Sequence, residues 1–412
     1  MKNKIALASL FMLFTINTFS QSISSSPYSM YGLGSLYDSD FGSISSIGSS
    51  GIALPSNRFI NNLNPASLGY MYQNHFLFDV GGKSILSTYE NSSKKESRNN
   101  FQFSHIALAF PVTSKSAVSV ALQPYSSAAF KISNLLLPIE NSADTYVLNA
   151  SGSGGLNDFD LSYGYRIGKK IALGISTNFL FGNTIDNRDY TVSNSITTIN
   201  KKSYYNGVRV SLGSQVQIDS TLSLGVNFKS PSQIKASKVQ SVISYNNSIT
   251  TTIETDANYD VDDYYLPLEI GVGLSKVFKN NLNFTIDYKK SLWNGTNQSD
   301  IYGNYLNQDK FAMGFSYSKT KSIRSYLDRI QYATGFNYDS GFLEIDNKRI
   351  NNLSFSVGVS LPVENQTFST LNVTYSYGQK GSISNGLIKE NYHKISLNLS
   401  LDGIWFVKRK FE

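Results

Sequence analysis

Ile395-Ser396-Leu397-Asn398-Leu399-Ser400-Leu401-Asp402 alternates strictly: every second residue is apolar, and those between are Ser, Asn or Asp. Side chains along a strand point to opposite faces in turn, so this stretch has one greasy and one wet side. Similar runs recur along the chain, and no helical periodicity supplies elements to cover them. The apolar faces therefore need another solvent, and lipid fits. Read together with the turn signals, the alternation gives fourteen strands, near 74–88, 100–112, 116–131, 154–168, 170–190, 203–219, 221–245, 250–279, 281–293, 308–319, 328–342, 350–364, 368–380 and 390–407. The fold class that follows is all-β, a 14-stranded antiparallel transmembrane β-barrel over 74–407.

The connections agree with that count. After even-numbered strands they are mostly tight, as at Gly168-Lys169 and Lys279-Asn280-Asn281; after odd-numbered strands they are mostly long and rich in Ser, Asn and Thr, as in 89–99, 132–153, 191–202 and 294–307. Short turns inside and long loops outside are the asymmetry of outer-membrane barrels. The connection from Lys319 to Asp328 has room for a short periplasmic helix. Strands seven and eight exceed the 9–11 residues or so that a membrane requires, so Lys235 to Asp260 should project above the surface. Leu282, Phe284, Ile286 and Tyr288 should face lipid, with Asn283, Thr285, Asp287 and Lys289 in the lumen. Trp293 and Trp405, near strand ends, suit the headgroup level.

Composition narrows the class further. Tyr (27) and Phe (25) are abundant while charged residues make up only 16%, and no run of eighteen apolar residues provides a helical span beyond the N-terminus. Lys2 and Lys4, the mostly apolar Ile5 to Phe19 and small Ser20 read as a signal peptide over 1–20. With no Cys there is no disulfide and no thiolate metal site. The net charge of +7 comes largely from turn residues expected on the periplasmic side, including a basic tail at 408–412. These suit acidic lipid headgroups of the outer membrane or a periplasmic partner, and nucleic acid is not expected. His75, His105 and His393 have no metal-ligand spacing and no Ser/His or Asp/His arrangement can be assembled, so neither an enzyme, a metal nor a cofactor is expected.

Residues 21–73 lack the two-residue period. Their spaced Ile, Leu, Met and Phe would be costly in water, which favours a plug inside the lumen over a disordered leader. Within this segment, Gly48-Ser49-Ser50-Gly51-Ile52-Ala53 followed by Asn62-Leu63-Asn64-Pro65-Ala66-Ser67-Leu68 resembles the N-terminal hatch of the FadL/TodX family of outer-membrane transporters. Phe228-Lys229-Ser230-Pro231, then Leu266-Pro267 with Ile270-Gly271-Val272-Gly273-Leu274, and Gly335-Phe336-Asn337-Tyr338-Asp339 are similar to further stretches of that family in the same order. The closing Gly386 to Tyr392 and Trp405 to Lys410 look like a Bacteroidetes branch of it. The chain departs from the family pattern at its end, where Lys408 to Glu412 run past Phe406 and leave Phe411 as a second candidate terminal aromatic.

The resemblance implies a hatch with Asn64, Pro65 and Ala66 at its core, passive admission of small hydrophobic, fatty-acid-like compounds, and lateral release at a kinked third strand. Pro124 in Gln123-Pro124-Tyr125 supplies the kink, because proline cannot donate to a ladder. The apolar residues of the 132–139 loop (Leu135, Leu136, Leu137) and of the hatch (Phe59, Ile60, Leu63) are the candidate ligand contacts; the loop could equally meet a neighbouring protein. A second reading from another class is a barrel that moves no small molecule and serves as a subunit or shuttle of an outer-membrane secretion or assembly complex. A sealed lumen or an unbroken third strand would favour it.

Overall fold

The computed structural model describes residues 26–404 apart from 39–40, 247–248, 280, 301–302, 320–325 and 365–366. The expected signal peptide, the basic tail and the aromatics Trp405, Phe406 and Phe411 lie outside the described residues. The chain forms a closed antiparallel barrel of fourteen strands. They are β1 (His75–Glu90), β2 (Lys95–Thr113), β3 in two halves (Ser116–Pro124 and Phe130–Pro138), β4 (Thr145–Ile167), β5 (Ile171–Val192) and β6 (Ser195–Gln217). Then come β7 (Leu222–Lys229 and Ser232–Asn246), β8 (Ile249–Tyr259, Tyr264–Leu266 and Glu269–Val277), β9 (Leu282–Ser291), β10 (Gln308–Ser318), β11 (Gln331–Asp339), β12 (Asn352–Pro362), β13 (Thr370–Lys380) and β14 (Lys389–Ile404).

The alternating stretch of β14 closes the ring. It pairs with β1 in unbroken register, Leu401 opposite Phe78 and Ile395 opposite Ser84. Ile395 and Leu401 face outward, while Asn398, Ser400 and Asp402 are buried inside. β9 and β12 follow the same rule: Ile286, Leu353, Phe355 and Val357 are exposed on the outer surface, and Thr285, Asp287, Ser356 and Ser360 are buried. An apolar band facing out and polar groups facing in are what a lipid-spanning barrel requires.

Three features depart from the sequence reading. The 132–139 segment is strand, not loop, because it is the upper half of β3 and pairs with β4 from Phe130–Gly152 to Pro138–Thr145. The 191–202 loop is likewise strand, since β5 and β6 pair up to Val192–Ser195 and extend to 22 and 23 residues. Above the bilayer both strand faces are polar, so alternation fades although the ladder continues. Trp293 is not at the lipid interface: it is 2% exposed, stacked on Phe342 at 4.3 Å with Tyr264 and Tyr305 edge-on. These rings join Leu33, Leu343, Ile345, Ile350 and Leu387 in an apolar cluster on the extracellular side. A small sheet of Ser299–Asp300, Gly303–Tyr305, Leu343–Ile345 and Lys348–Arg349 frames it. In the Lys319 to Asp328 connection the described part is a single 3₁₀ turn, Leu327–Arg329.

Candidate functional site

The lumen is occupied by the chain's own N-terminal segment. Rich in Ser and Gly, it forms only short 3₁₀ turns, Pro27–Met30, Gly42–Ile47 and Pro65–Tyr70, so many of its backbone groups need partners from elsewhere. The barrel wall supplies them. Asp287 Oδ2 accepts from the Gly51 and Ile52 amides at 2.6 and 2.9 Å. Gln215 Nε2 donates to the Ile52 and Leu54 carbonyls, Asn227 to Leu63, Asn337 to Gly48 and Ser356 to Ser46. Ser50 meets Thr285 at 2.6 Å. Asn64 works in both directions. Its Oδ1 caps the last turn at Ala66, and its Nδ2 donates to the Ser214 and Val226 carbonyls of the wall.

The wall is also shaped for the segment. At Gly213 a Cβ would fall 2.0 Å from Asn64 Oδ1, at Gly225 2.3 Å from the Ile52 carbonyl oxygen, at Gly174 2.3 Å from the Ala66 amide and at Gly335 2.0 Å from the Gly48 amide. These inward-facing glycines let backbone meet backbone, which no larger residue permits. Ala66 is wholly buried, packed with Tyr70 and Ala172. Phe59 and Leu63 pack with Ile44 and Ile52, and Ile60 packs with Phe41, Leu68, Met71 and Leu77. Phe59 and Leu63 also line cavities, of about 150 Å³ and about 90 Å³ respectively.

The space left above the segment is ionic. Lys310 lies 3.0 Å from Asp38 of the segment and 3.1 Å from Asp339. Lys310 holds the Asp38 carboxyl well below the usual carboxylate range, against the opposing effect of burial. Lys83 sits over the Tyr37 ring at 4.3 Å. Arg209, 2% exposed, reaches Glu269 at 2.9 Å, the Ser230 carbonyl at 2.9 Å and the Pro267 carbonyl at 2.5 Å. It thereby ties together the Ser-Pro and Leu-Pro stretches at which β7 and β8 are interrupted. A cavity of about 160 Å³ is lined by Lys83, Arg98, Lys380 and Lys394 with Asp38 and Glu390. Another of about 90 Å³ is lined by Arg209, Lys229, Glu269, Lys289 and Lys310.

Gln123, Pro124 and Tyr125 mark a true interruption of the wall. Pro124 still pairs with Asn157, after which the chain turns inward. Ser126 and Ser127 pair with Leu36 and Ser35 of the luminal segment, and the Tyr37 amide donates to the Tyr125 carbonyl at 3.0 Å. Gln123 is buried and bridges Asn62 of the segment to Asp158 of β4. The upper half of β3 then rejoins β4. β2 pairs with the lower half of β3 only from Ile106 to Thr113; above that level it pairs with β1 alone. Leu135 and Leu136, successive residues of the upper half of β3, are exposed at 41% and 62%.

An Asp/His pair absent from the sequence reading is present inside the wall. His105 Nε2 meets Asp79 Oδ1 at 2.8 Å, and Ser400 Oγ donates to Asp79 Oδ2 at 2.8 Å. The Ser400 hydroxyl bonds to the carboxylate, the Ser104 hydroxyl lies 3.0 Å from His105 Nδ1, and Phe41 stacks on His105 at 4.0 Å. His105 is 1% exposed. This is a buried hydrogen-bond network holding β1, β2 and β14 together. Among the described residues no group of three metal-ligating side chains converges. The sequence reading placed Asp287 in the lumen and Asn337 in a family-like stretch, but it gave none of Gln215, Asp287 and Asn337 a role in holding the segment.

Comparison with known proteins places this architecture. The family model BamG matches residues 1–412, and no curated protein matches. Among solved structures, the Pseudomonas putida toluene transporter TodX is similar with a TM-score of 0.64 at 12% identity, covering 90% of this chain and 100% of that one. The Ralstonia pickettii toluene transporter TbuX gives 0.61 at 13%, covering 88% and 98%. A Pseudomonas aeruginosa FadL homologue gives 0.62 at 10%, covering 90% and 100%. The fold is therefore that of the FadL/TodX outer-membrane barrels, and the chain is an outer-membrane protein.

Proposed function

We propose that this protein, which belongs to the BamG family, is a closed outer-membrane barrel acting as a subunit of an outer-membrane protein secretion or assembly complex. The match to this family favours the complex-subunit reading. The observation that carries the reading is the double closure of the lumen. The aromatic cluster around Trp293 covers it from outside, and the luminal segment is hydrogen-bonded to the wall beneath. The cavities between them, about 90 to 160 Å³, fall short of the roughly 300–1,000 Å³ usual for small-molecule sites. Their linings set Lys, Arg and carboxylates among Leu36, Tyr37 and a few other apolar residues, and burying an apolar molecule against those charges is costly. A barrel so filled contributes a rigid outer surface, not a path. Gentle detergent extraction of the native protein followed by native mass spectrometry tests this: the expected result is a fixed stoichiometry with other subunits. Recovery as a lone barrel under conditions that keep other membrane complexes intact overturns it.

A second reading keeps one specific observation in its favour, the break at Gln123, Pro124 and Tyr125. In it the barrel passes small hydrophobic compounds passively, by movement of the segment around Asn64, Pro65 and Ala66 and release through the broken wall. Leu135, Leu136 and Leu137 would then line the exit from outside, not the mouth. Fold likeness to proteins described as toluene transporters supports it. Uptake of toluene-like and fatty-acid compounds by a deletion strain and by proteoliposomes decides: unchanged uptake of every compound sinks the transport reading.

A further inference from the structure

The wall carries two unpaired strand edges that face the same gap. From Lys95 to His105, β2 has a ladder only on its β1 side. From Phe130 to Pro138, the upper half of β3 has a ladder only on its β4 side. Among the described residues the other neighbouring strands are joined at the same level, except that β8 above Glu269 has a ladder only on its β7 side. Irregular register marks each edge: β2 carries a bulge between Gly81/His105 and Gly82/Phe103, and upper β3 another between Ile132 and Leu135 with Asn134 at φ 56°. Bulges twist a strand away from its neighbour, which explains why the two edges do not close on each other. The luminal segment's hold on Ser126 and Ser127 keeps them apart from inside.

We propose that this gap is a docking slot for one extended β-strand of a partner protein, added to the edge of β2. The inference rests on the complex-subunit reading above and names its contact. Backbone N–H and C=O groups spaced along an edge are matched by another extended backbone, and no lipid tail supplies such groups. Upper β3 carries Lys131, a bulge and Pro138, whereas β2 from Ser97 to His105 has one bulge near its lower end and no proline. The side chains set the strand's character. Phe101 and Phe103 are 54% and 45% exposed on the side away from the lumen, and the exposed Leu135 and Leu136 lie on the upper half of β3. Arg98, Asn100 and Gln102 line the 160 Å³ luminal cavity on the inner side. An incoming strand that alternates apolar and polar residues satisfies both. Lys95 and Lys131 are exposed at the upper and lower ends, without an ion pair among the described residues, so acidic residues towards the strand's ends complete the match.

The chain has no Cys, so single cysteines carrying a thiol-reactive photo-crosslinker report one position each. Asn99→Cys, Phe101→Cys and Phe103→Cys probe the slot; Leu353→Cys, on the outer face of β12, is the control. In the native complex the slot positions should crosslink to a single partner peptide at residues spaced two apart and in reverse order, the signature of antiparallel pairing. Lys95→Glu with Lys131→Glu should lower that yield several-fold while the barrel folds normally by heat-modifiability. Crosslinks only to lipid, only to this chain's own residues, or to partner residues without the two-residue spacing overturn the proposal. If the complex stays intact and crosslinks arise only from Leu353→Cys, the slot is wrong and the complex-subunit reading stands; if no complex is recovered, that reading fails first.

Discussion

The glycines of the wall and the polar residues beside them form one device at the residue scale. Gly335 has no space for a Cβ, since the Gly48 amide of the luminal segment occupies it. Gly335→Ala should therefore lift the segment from its seat, at a cost of about 1–3 kcal/mol or more, as overpacking does elsewhere. Gly295→Ala, where nothing lies within 4 Å, should be neutral. Thermal heat-modifiability on gels and amide exchange at Gly48 to Gly51 read the difference. Arg209→Met removes the cation from a buried pair with Glu269 and leaves two carbonyls without a donor. With the Glu269 side chain partly exposed, the loss should be on the order of 1–3 kcal/mol, so β7 and β8 should exchange faster near Ser230 and Pro267. Asp38 adds a pH dependence. Its carboxyl is depressed below the ordinary value of 3.8 by Lys310, so its contribution is complete above that value and is lost as the pH falls further. Acidification from about pH 4 downward should free residues 35–38 before the barrel wall yields. Faster amide exchange at Leu36 and Tyr37 checks it, and an unchanged rate would refute it.

The break in β3 shows, at the element scale, which part of the molecule could be read from sequence. Strand existence and phase were legible because lipid on one side and a filled lumen on the other force the two-residue period, as in Leu353, Phe355 and Val357 against Ser356 and Ser360. The upper reaches of β5 and β6 were not, because both faces there meet water. The break was legible only as a proline. In the structure Pro124 is the last residue to pair with β4 before the break, opposite Asn157, and the inward turn after it is held by Leu36–Ser126 and Ser35–Ser127 pairing. No local pattern announces a contact between residues some ninety positions apart. Pro124→Ala should accordingly leave the break in place. Gly34→Val should release it, since Gly34 has φ 90° and a Cβ there falls 2.2 Å from the Ser127 carbonyl oxygen. Spin-label distances between Phe103→Cys and Leu135→Cys distinguish the cases: unchanged with Pro124→Ala, shorter or broader with Gly34→Val.

Whether the whole molecule conducts depends on the free energy that seats the luminal segment. Ten hydrogen bonds join it to the wall through Ser50, Asn64, Gln215, Asn227, Asp287, Asn337 and Ser356. At about 1 kcal/mol net for each, they total on the order of 10 kcal/mol before any apolar burial is added. Because the glycine contacts hold the segment's backbone against the wall on several strands at once, the bonds must break together for a path to open. A spontaneous opening then has a population on the order of one in ten million, too rare to sustain passive flux. Purified protein in planar bilayers should accordingly show no conductance steps. The Gln215→Ala and Asp287→Ala double variant, which removes four of the ten bonds, should show brief openings, and removal of residues 26–71 should give a steady large conductance if the barrel still assembles. Frequent openings of the unaltered protein would mean that the segment is held far less tightly than its contacts imply. They would also restore passive transport as the better account of the lumen.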